Sequence, residues 1–305
     1  MPNPMSAAAM VDLIDKRVTK IFYDELKQLE DRIPDFYGMQ TSKDSFEKWS
    51  EVGSLPDFTQ LTGSVVYQSQ SQGYDTIVTH LEWVNGFQIT RTLLDDDRHG
   101  IWGSRPAALA NAYQRTRQQH GARLFNNAFS VDTMFYVNSE AVALCSDSHT
   151  TTSGASVATG FDNKTTASLS AVSVSAARTQ MRGFRGDQAE KISVMPNKIV
   201  VPIDLADRLD EVIKSDKQVD TANNNYNPSG NGRYMGMDWE YLTDTNDWFM
   251  IDDRMMKQWA VWFDRVPLEF GRAEEFDTFV AKWRAYCRYA NAWFNWRFIL
   301  GSQVS

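Results

Sequence analysis

The first clear pattern along the chain is a helical spacing of apolar residues near the N-terminus. These residues recur at steps of three and four, which places them on one face of a helix. They are Ile14, Val18, Ile21, Phe22, Leu26 and Leu29. We expect the helix to end before Pro34, because the residue before a proline disfavours helical backbone. The apolar face needs a partner, which is either the core of the same chain or a neighbouring subunit.

Between Gly63 and Leu94 the pattern changes to that of β-structure. Val, Tyr, Ile and Thr alternate with polar residues on both sides of a Ser- and Gln-rich tip at Gln68–Gln72. Asn85-Gly86 favours a second reversal, and the alternative is that the strand continues there through a bulge. We predict one long hairpin whose tip buries little of itself and therefore rests on another surface.

A long helix is predicted from Ser104 to about Asn127. Ser104 is the expected N-cap and Pro106 fits the first turn. Only Gly121 is unfavourable in the helix interior, and the helix is about 30 Å long at 1.5 Å per residue. Its apolar stripe is thin, so we expect it to lie as a strut across a sheet with one side open.

The rest of the chain mixes helices and strands and predicts an α+β fold. A Ser/Thr/Gly-rich stretch from Ser146 to Ser168 leads to a helix over Leu169–Phe184. A strand over Lys198–Pro202 leads to a helix from Asp204 to about Ser215. Thr221–Asn231 has the Asn, Gly and Pro content of a surface loop.

Aromatic residues concentrate in the C-terminal third, where seven of the ten tryptophans follow residue 238. Strand-like segments there are Met235–Leu242, Asp247–Ile251 and Ala260–Glu269. Apolar and basic residues alternate from Phe279 to Tyr289, and a strand through Trp296 and Ile299 follows a predicted turn near Asn291. These last two strands predict an antiparallel pair with one buried face.

Composition restricts the possible functions. The 305 residues are 42% hydrophobic and 12% aromatic, enough for one large domain or two ordinary ones. A net charge of -8 argues against tight, sequence-independent binding to nucleic acid, although it is compatible with a wall around DNA. Cys145 and Cys287 have no metal-ligand spacing and we expect both to stay reduced in a cytoplasm. Neither a signal peptide nor a membrane span is predicted.

Motifs for catalysis are absent from the sequence. His80, His99, His120 and His149 are scattered without ligand spacing, and we expect them on the surface or in loops. There is no phosphate-binding glycine motif. The acidic residues Asp95–Asp97 and Asp252-Asp253 could form a carboxylate cluster for a metal or for hydrolysis of a sugar, but carboxylates at strand ends are more often solvated or capping. We therefore predict no enzyme and no catalytic, cofactor-binding or metal-ligating residue.

Four landmarks in order carry a family resemblance. They are the run YDTIVTHLEWVNGFQITRTLLDDDRHG from Tyr74, a long helix, the apolar segment Ala141–Leu144 before Ser148-His149, and the run PNKIVVPIDLADRLDEVIKS from Pro196. In this order they resemble the Mu-type major head subunit of tailed phages, whose first landmark ends in an Arg and an acidic pair before Gly, here Arg91, Asp96, Asp97 and Gly100. Ser139-Glu140 stands where that family has Asp-Gly.

The resemblance implies the tailed-phage capsid fold. Its expected parts are an N-terminal arm at 1–53, an extended β-hairpin at 54–97, a peripheral domain at 98–195 and 266–305 with the spine helix 104–127, and an axial domain at 196–265. The implied function is a major capsid protein that self-assembles into an icosahedral shell around double-stranded DNA. The alternatives are an encapsulin-like shell that holds enzymes and a carbohydrate-active hydrolase that uses the Asp and Trp residues.

The resemblance also implies partners and a location. Other copies would form hexamers and pentamers, with a separate scaffolding protein, a portal and a possible decoration or cement protein. Packaged DNA would lie nearby without specific binding, and no membrane is involved. The protein would be assembled in the host cytoplasm and reside in the virion capsid. Some relatives join subunits by Lys–Asn bonds from the hairpin, but no Lys occurs between Lys48 and Lys164, so we expect none here.

Overall fold

A computed structural model describes residues 7–305 apart from 59, 62, 66, 68–71, 97–102, 218–225, 231 and 276–279. Expectations for Asp97, His99 and Gly100 lie outside the described residues, as do those for most of the polar tip and of the loop at 221–231. The helices are α1 Ala7–Gln28, α2 Ile33–Phe36, α3 Arg91–Asp96, α4 Ser104–Asn126, α5 Ala171–Met181, α6 Ala206–Lys214 and α7 Asp253–Trp259. Short 3-10 turns cover Ile203–Leu205 and Trp296–Phe298.

The strands of the described residues form three sheets, and the mixture of helices and sheets confirms the α+β class. The strands are β1 Gly38–Thr41, β2 Phe46–Val52, β3 Gln72–Thr79, β4 Leu81–Thr90, β5 Tyr136–Asn138, β6 Lys164–Thr165, β7 Lys198–Val201, β8 Met235–Asp238, β9 Trp248–Ile251, β10 Ala260–Glu275, β11 Val280–Trp293 and β12 Ile299–Ser302. Their order is β1-β10-β11-β4 in the first sheet, β6-β12-β9-β7-β8 in the second and β2-β3-β5 in the third.

Helices α1 and α4 lie side by side on one face of the four-stranded sheet. Phe22 of α1 packs with Leu109 and Ala110 of α4 against Ala285 of β11. Val18 is fully buried beside Ile89 of β4. The apolar face of α1 therefore finds its partner in the core of its own chain, which answers the question that its sequence pattern left open.

The predicted hairpin is wrong in its pairing. Strand β3 pairs with β2, which the sequence reading did not identify, whereas β4 pairs with β11 in another sheet. The β4–β11 ladder runs without a break from Leu81 to Thr90, so the chain neither reverses nor bulges at Asn85-Gly86. Burial of Ile89 and Phe87 under α1 outweighs the local turn preference. The strand ends at Thr90 and α3 follows, whereas the prediction extended it to Leu94.

Helix α4 follows its prediction closely. It runs from Ser104 to Asn126, and its N-cap residue is Gly103 rather than the expected Ser104. Gly121 has a packing role, because a β-carbon there would stand 2.2 Å from Ile33 Cδ1. The hydroxyl of Tyr37 donates to the Gly121 carbonyl at 2.7 Å. The glycine that weakens the helix thus permits the close approach of α2.

Two other helices and one strand were also predicted correctly. Helix α5 lies within the predicted span and begins with a capping box between Ser170 and Ser173. Strand β7 and helix α6 confirm the prediction for residues 198–215, with all four β7 residues buried. The part of the 221–231 loop that is described is less exposed than expected, since Asn227 is buried and its side-chain nitrogen donates to Val212 O at 2.7 Å.

The C-terminal strands lie where they were predicted, but the turn near Asn291 and the pairing differ from the prediction. Strand β11 continues through Asn291 without a turn and pairs with β10 and β4, while β12 pairs with β9 and β6. The expected antiparallel pair of the last two strands is therefore wrong. Residues 260–265 begin β10 in the four-stranded sheet, and residues 299–302 lie in the sheet of β7, β8 and β9. Trp239, Trp248, Trp262 and Trp293 are buried in one core cluster with residues of both sheets.

Candidate functional site

Polar groups around one buried arginine join the β2–β3 hairpin to the body of the protein, at the end of the ladder where the connection between the strands begins. The side chain of Arg297 is 5% exposed, and its Nε donates to the Arg185 carbonyl at 2.6 Å. Its Nη2 donates to Asp187 Oδ1 at 3.0 Å, and its Nη1 lies 3.8 Å from Glu51 Oε1 at the end of β2. The guanidinium also lies over the Trp296 ring, 4.8 Å from its centroid.

The Glu51 carboxyl is the unusual member of this group. Burial and the nearby carboxylate of Asp187 raise its pKa from 4.5 to about 7, and Glu140 adds to the rise. Arg297 and a hydrogen bond from Asn295 Nδ2, at 2.9 Å, oppose it. Glu51 therefore changes charge near neutral pH at the point where the connection between β2 and β3 begins.

A second buried pair lies close to the start of β3. The side chains of Glu140 and His149 are 3% and 0% exposed, with His149 Nδ1 3.2 Å from Glu140 Oε1. The His149 ring stacks on Trp296 with centroids 4.3 Å apart. The chain reaches Glu140 through a turn with Ala141 in the left-handed region at φ 56°. Ser139-Glu140, where the sequence resemblance is interrupted, thus contributes a buried carboxylate.

This second pair also holds the hairpin. Thr150 N donates to Glu140 Oε1 at 2.8 Å, and Thr150 Oγ1 is 2.6 Å from the hydroxyl of Tyr74 in β3. Thr152 Oγ1 donates to Gln72 O at 2.9 Å. Both hairpin strands are therefore fixed by side-chain bonds to loops of the body at the end next to their connection, which we call the hairpin root. These bonds give the hairpin a defined root.

The connection between β2 and β3 exposes apolar side chains that the sequence reading passed over in favour of the polar tip. Phe58 is fully exposed, and Tyr67 is 89% exposed. Val52, Leu55, Leu61 and Val65 are also exposed. Regularly spaced large apolar residues in a loop were the signal available in the sequence. Exposed apolar segments of this kind are common at surfaces that contact other molecules.

The acidic residues of the predicted cluster that the structure describes, Asp96, Asp252 and Asp253, have exposed, capping or ion-paired positions. Asp252 caps α7, and it accepts hydrogen bonds from Met255 N at 3.2 Å and from Met195 N at 2.8 Å. Asp253 accepts from Lys198 Nζ at 2.5 Å. Asp96 is exposed at the end of α3. Within the described ranges, no group of three or more His, Cys, Asp or Glu residues is placed to hold a metal ion.

The histidines are more buried than expected. His80 is 4% exposed, with Nε2 3.0 Å from Ser42 Oγ. His149 is buried as described above, and His120 is half-buried with Nδ1 2.8 Å from the Tyr289 hydroxyl. Burial lowers the pKa of His120 to about 4. His80 and His149 lie in loops, as expected, but they are buried beside aromatic rings. The expectation is wrong for His120, which is half-buried within helix α4.

Both cysteines are buried. Cys145 and Cys287 are free thiols. Burial raises the pKa of the Cys287 thiol to about 11, which makes it unreactive at neutral pH.

A search of the described helices finds none that is both long enough and apolar enough to cross a membrane.

Comparison with known proteins identifies similar folds. A family model described as phage capsid protein matches residues 73–301. The mature capsid of bacteriophage PhiM1 is similar with a TM-score of 0.57 and 9% identity, covering 91% of this chain and 88% of that one. The bacteriophage JBD30 capsid has a TM-score of 0.55 and 14% identity, covering 73% and 95%. A virus-like particle from Pyrococcus furiosus has a TM-score of 0.52 and 6% identity, covering 94% and 98%. No curated protein matches by sequence.

Proposed function

The chain belongs to the phage capsid protein family and is a major capsid protein of an icosahedral shell, and we propose that its copies form hexamers and pentamers around the double-stranded DNA of a tailed phage. The observation that supports this most strongly is the family match over residues 73–301. The Mu-type subfamily is the finer assignment within the proposal, supported by the sequence landmarks from Tyr74 to Ser215. The role is structural and involves no catalysis.

The proposed domains follow the fold with adjusted bounds. The extended hairpin is β2 and β3 with their connection, over residues 46–79 rather than 54–97. The peripheral domain has α4 as its spine helix over the sheet of β10, β11 and β4. The axial domain includes residues 196–251 and also β12 at 299–302, since these strands share one sheet. The arm is the segment before the hairpin, with α1 docked on its own subunit.

The hairpin is proposed to reach a neighbouring copy in the shell. Its root is fixed by Glu51 and Tyr74, and its connection exposes Phe58 and Tyr67. Exposed apolar side chains lose water contact only when another surface covers them. A neighbouring copy is the natural cover, because a shell brings many copies of this chain together.

The other proposed partners follow from the family role. They are a separate scaffolding protein, a portal, and a possible decoration or cement protein. The net charge of -8 supports proximity to packaged DNA without specific binding. Assembly is proposed in the host cytoplasm, with the mature protein in the virion.

A second candidate function is a shell that holds enzymes, in the manner of encapsulins. The similarity to the virus-like particle from Pyrococcus furiosus favours it at the level of fold. The hydrolase alternative has less support, because Asp252 serves as a helix cap and Asp253 binds Lys198.

Size-exclusion chromatography and negative-stain imaging of the purified chain test the proposal. We expect capsomers, tubes or irregular shells. A small monodisperse species with affinity for sugars would contradict the capsid role. Uniform closed shells formed by the chain alone would contradict the separate scaffolding protein. Copurification of a host enzyme inside shells, in place of phage DNA, would favour the second candidate.

A further inference from the structure

The sheet of β10, β11 and β4 has one covered face and one open face. On β11, Trp283 and Ala285 point toward α1 and α4 and are buried. Alternate residues point the other way, because side chains alternate along a strand. Lys282 and Arg284 of this second set are exposed, and Val84 on the neighbouring β4 is 68% exposed. Nothing within the described chain covers this face at these positions.

The open face has basic residues on its central strand, and two of the three have partners. Lys282 donates to Glu275. Arg288 Nε lies 3.6 Å from Glu82 Oε1. Arg284 has no ion-pair or hydrogen-bond partner among the described residues. Its guanidinium is therefore the cation on this face that remains available to another molecule.

Arg284 also stands between two glycines. In the strand register it lies opposite Gly271 of β10 and Gly86 of β4. Glycine in a strand interior weakens the strand and often marks a place where another backbone approaches closely. Gly86 is explained by the neighbouring strand, since a β-carbon there would meet Trp283 O at 2.5 Å. Gly271 has no such constraint, because the nearest atoms to an added β-carbon are those of Arg284 at 3.9 Å.

We propose that Arg284 on this open face binds a carboxylate of a second copy of the chain, and that Asp96 at the end of α3 supplies it. The inference rests on the proposed function, which brings copies together in a shell. An exposed guanidinium without a described partner, next to a glycine whose side of the strand is open, suits a carboxylate. Asp96 is exposed, and it has no ion-pair partner among the described residues. Strand β4 leads directly into α3, so each copy presents both Arg284 and Asp96. The Asp96 of one copy is therefore complementary in charge to the Arg284 of a neighbouring copy.

Packaged DNA is the other anion available in a filled shell. A phosphate partner would leave assembly of the empty protein unaffected, because no DNA takes part in it. A protein partner would affect assembly itself. The two partners are therefore distinguished by measuring assembly in the absence of DNA.

The test compares nuclease-treated wild-type protein with Arg284→Glu, Asp96→Arg and the double variant, using size-exclusion chromatography and negative-stain imaging. Each single variant places like charges at the contact and should lower the assembled fraction about tenfold. The double variant restores opposite charges and should return assembly to near the wild-type level. Arg254→Glu makes the same charge change at an exposed position on α7 and should assemble normally.

The outcomes separate this inference from the proposed function. Failure of the wild-type protein to assemble would reject the capsid role itself. Normal assembly of Arg284→Glu, or a defect confined to DNA content, would overturn the inference while leaving the capsid role intact. A defect that the double variant does not repair would reject Asp96 as the partner. Arg284→Gln controls for misfolding, and its circular dichroism spectrum should match that of the wild type. It should show an assembly defect that is smaller than that of Arg284→Glu. Normal assembly of Arg284→Gln would overturn the inference.

Discussion

Replacing Glu51 by Gln tests whether the hairpin root responds to pH. The buried carboxyl has a pKa of about 7 in the folded chain and 4.5 as the reference value. Since the folded pKa is the higher one, the folded chain takes up a proton between these values. The free energy of unfolding therefore falls as the pH rises from about 4.5 to 7. At 1.36 kcal/mol per pKa unit the loss is about 3 kcal/mol, complete above about pH 7.

Glu51→Gln should remove this dependence because the amide is neutral at every pH. Its oxygen can still accept the hydrogen bond from Asn295 Nδ2, which is 2.9 Å long in the wild-type chain. The ion pair with Arg297 is long, at 3.8 Å. Its loss therefore costs less free energy than is gained when a charged carboxylate is no longer buried. We expect the variant to be more stable than wild type by about 2 to 3 kcal/mol at pH 8 and nearly equal to it at pH 5.

Urea unfolding of the unassembled subunit, followed by tryptophan fluorescence at pH 5 and pH 8, measures this difference. Hydrogen exchange of residues 46–52 and 72–79 shows whether the change is local to the hairpin. Glu240→Gln, at an exposed position, is the matched control and should follow wild type at both pH values. A difference between Glu51→Gln and wild type that is the same at both pH values would refute the reasoning.

Two further predictions concern packing and crosslinking. Gly121→Ala should lower the free energy of unfolding by about 1 to 3 kcal/mol, because its β-carbon would stand 2.2 Å from Ile33 Cδ1. Thermal unfolding measures this. Gly103→Ala, where an added β-carbon meets nothing within 4 Å, should cause a smaller loss, due only to alanine being less favourable than glycine at the N-cap. Lys48 is the lysine of the hairpin strands and pairs with Asp75 at 2.9 Å, so mass spectrometry of digested shells should find no isopeptide from it. A Lys48 peptide joined to another chain would reverse that expectation.

The local sequence pattern correctly predicted those helices and strands whose own apolar spacing agrees with their burial in the fold. Helix α4 and the β7–α6 unit were predicted because their apolar spacing and their propensities agree with their burial. Strand pairing was not predictable in the same way. Asn85-Gly86 is a strong hairpin signal, yet Phe87 and Ile89 pack under α1, a segment more than 60 residues earlier. Tertiary burial decides such cases, and a local window does not contain it.

The hairpin root shows where a sequence signal existed and was not used. Arg297 lies in the run Trp293–Leu300, where every residue other than Asn295 and Arg297 is apolar or aromatic. A charge in so apolar a segment must find partners, since an unpaired buried charge is strongly destabilising. The pattern therefore predicts a buried ion pair, although not its members, because Asp187 and Glu51 are 110 and 246 residues away in sequence. Only the fold brings the hairpin, the 185–187 loop and the C-terminal turn together. Their shared arginine links the position of the hairpin to the core.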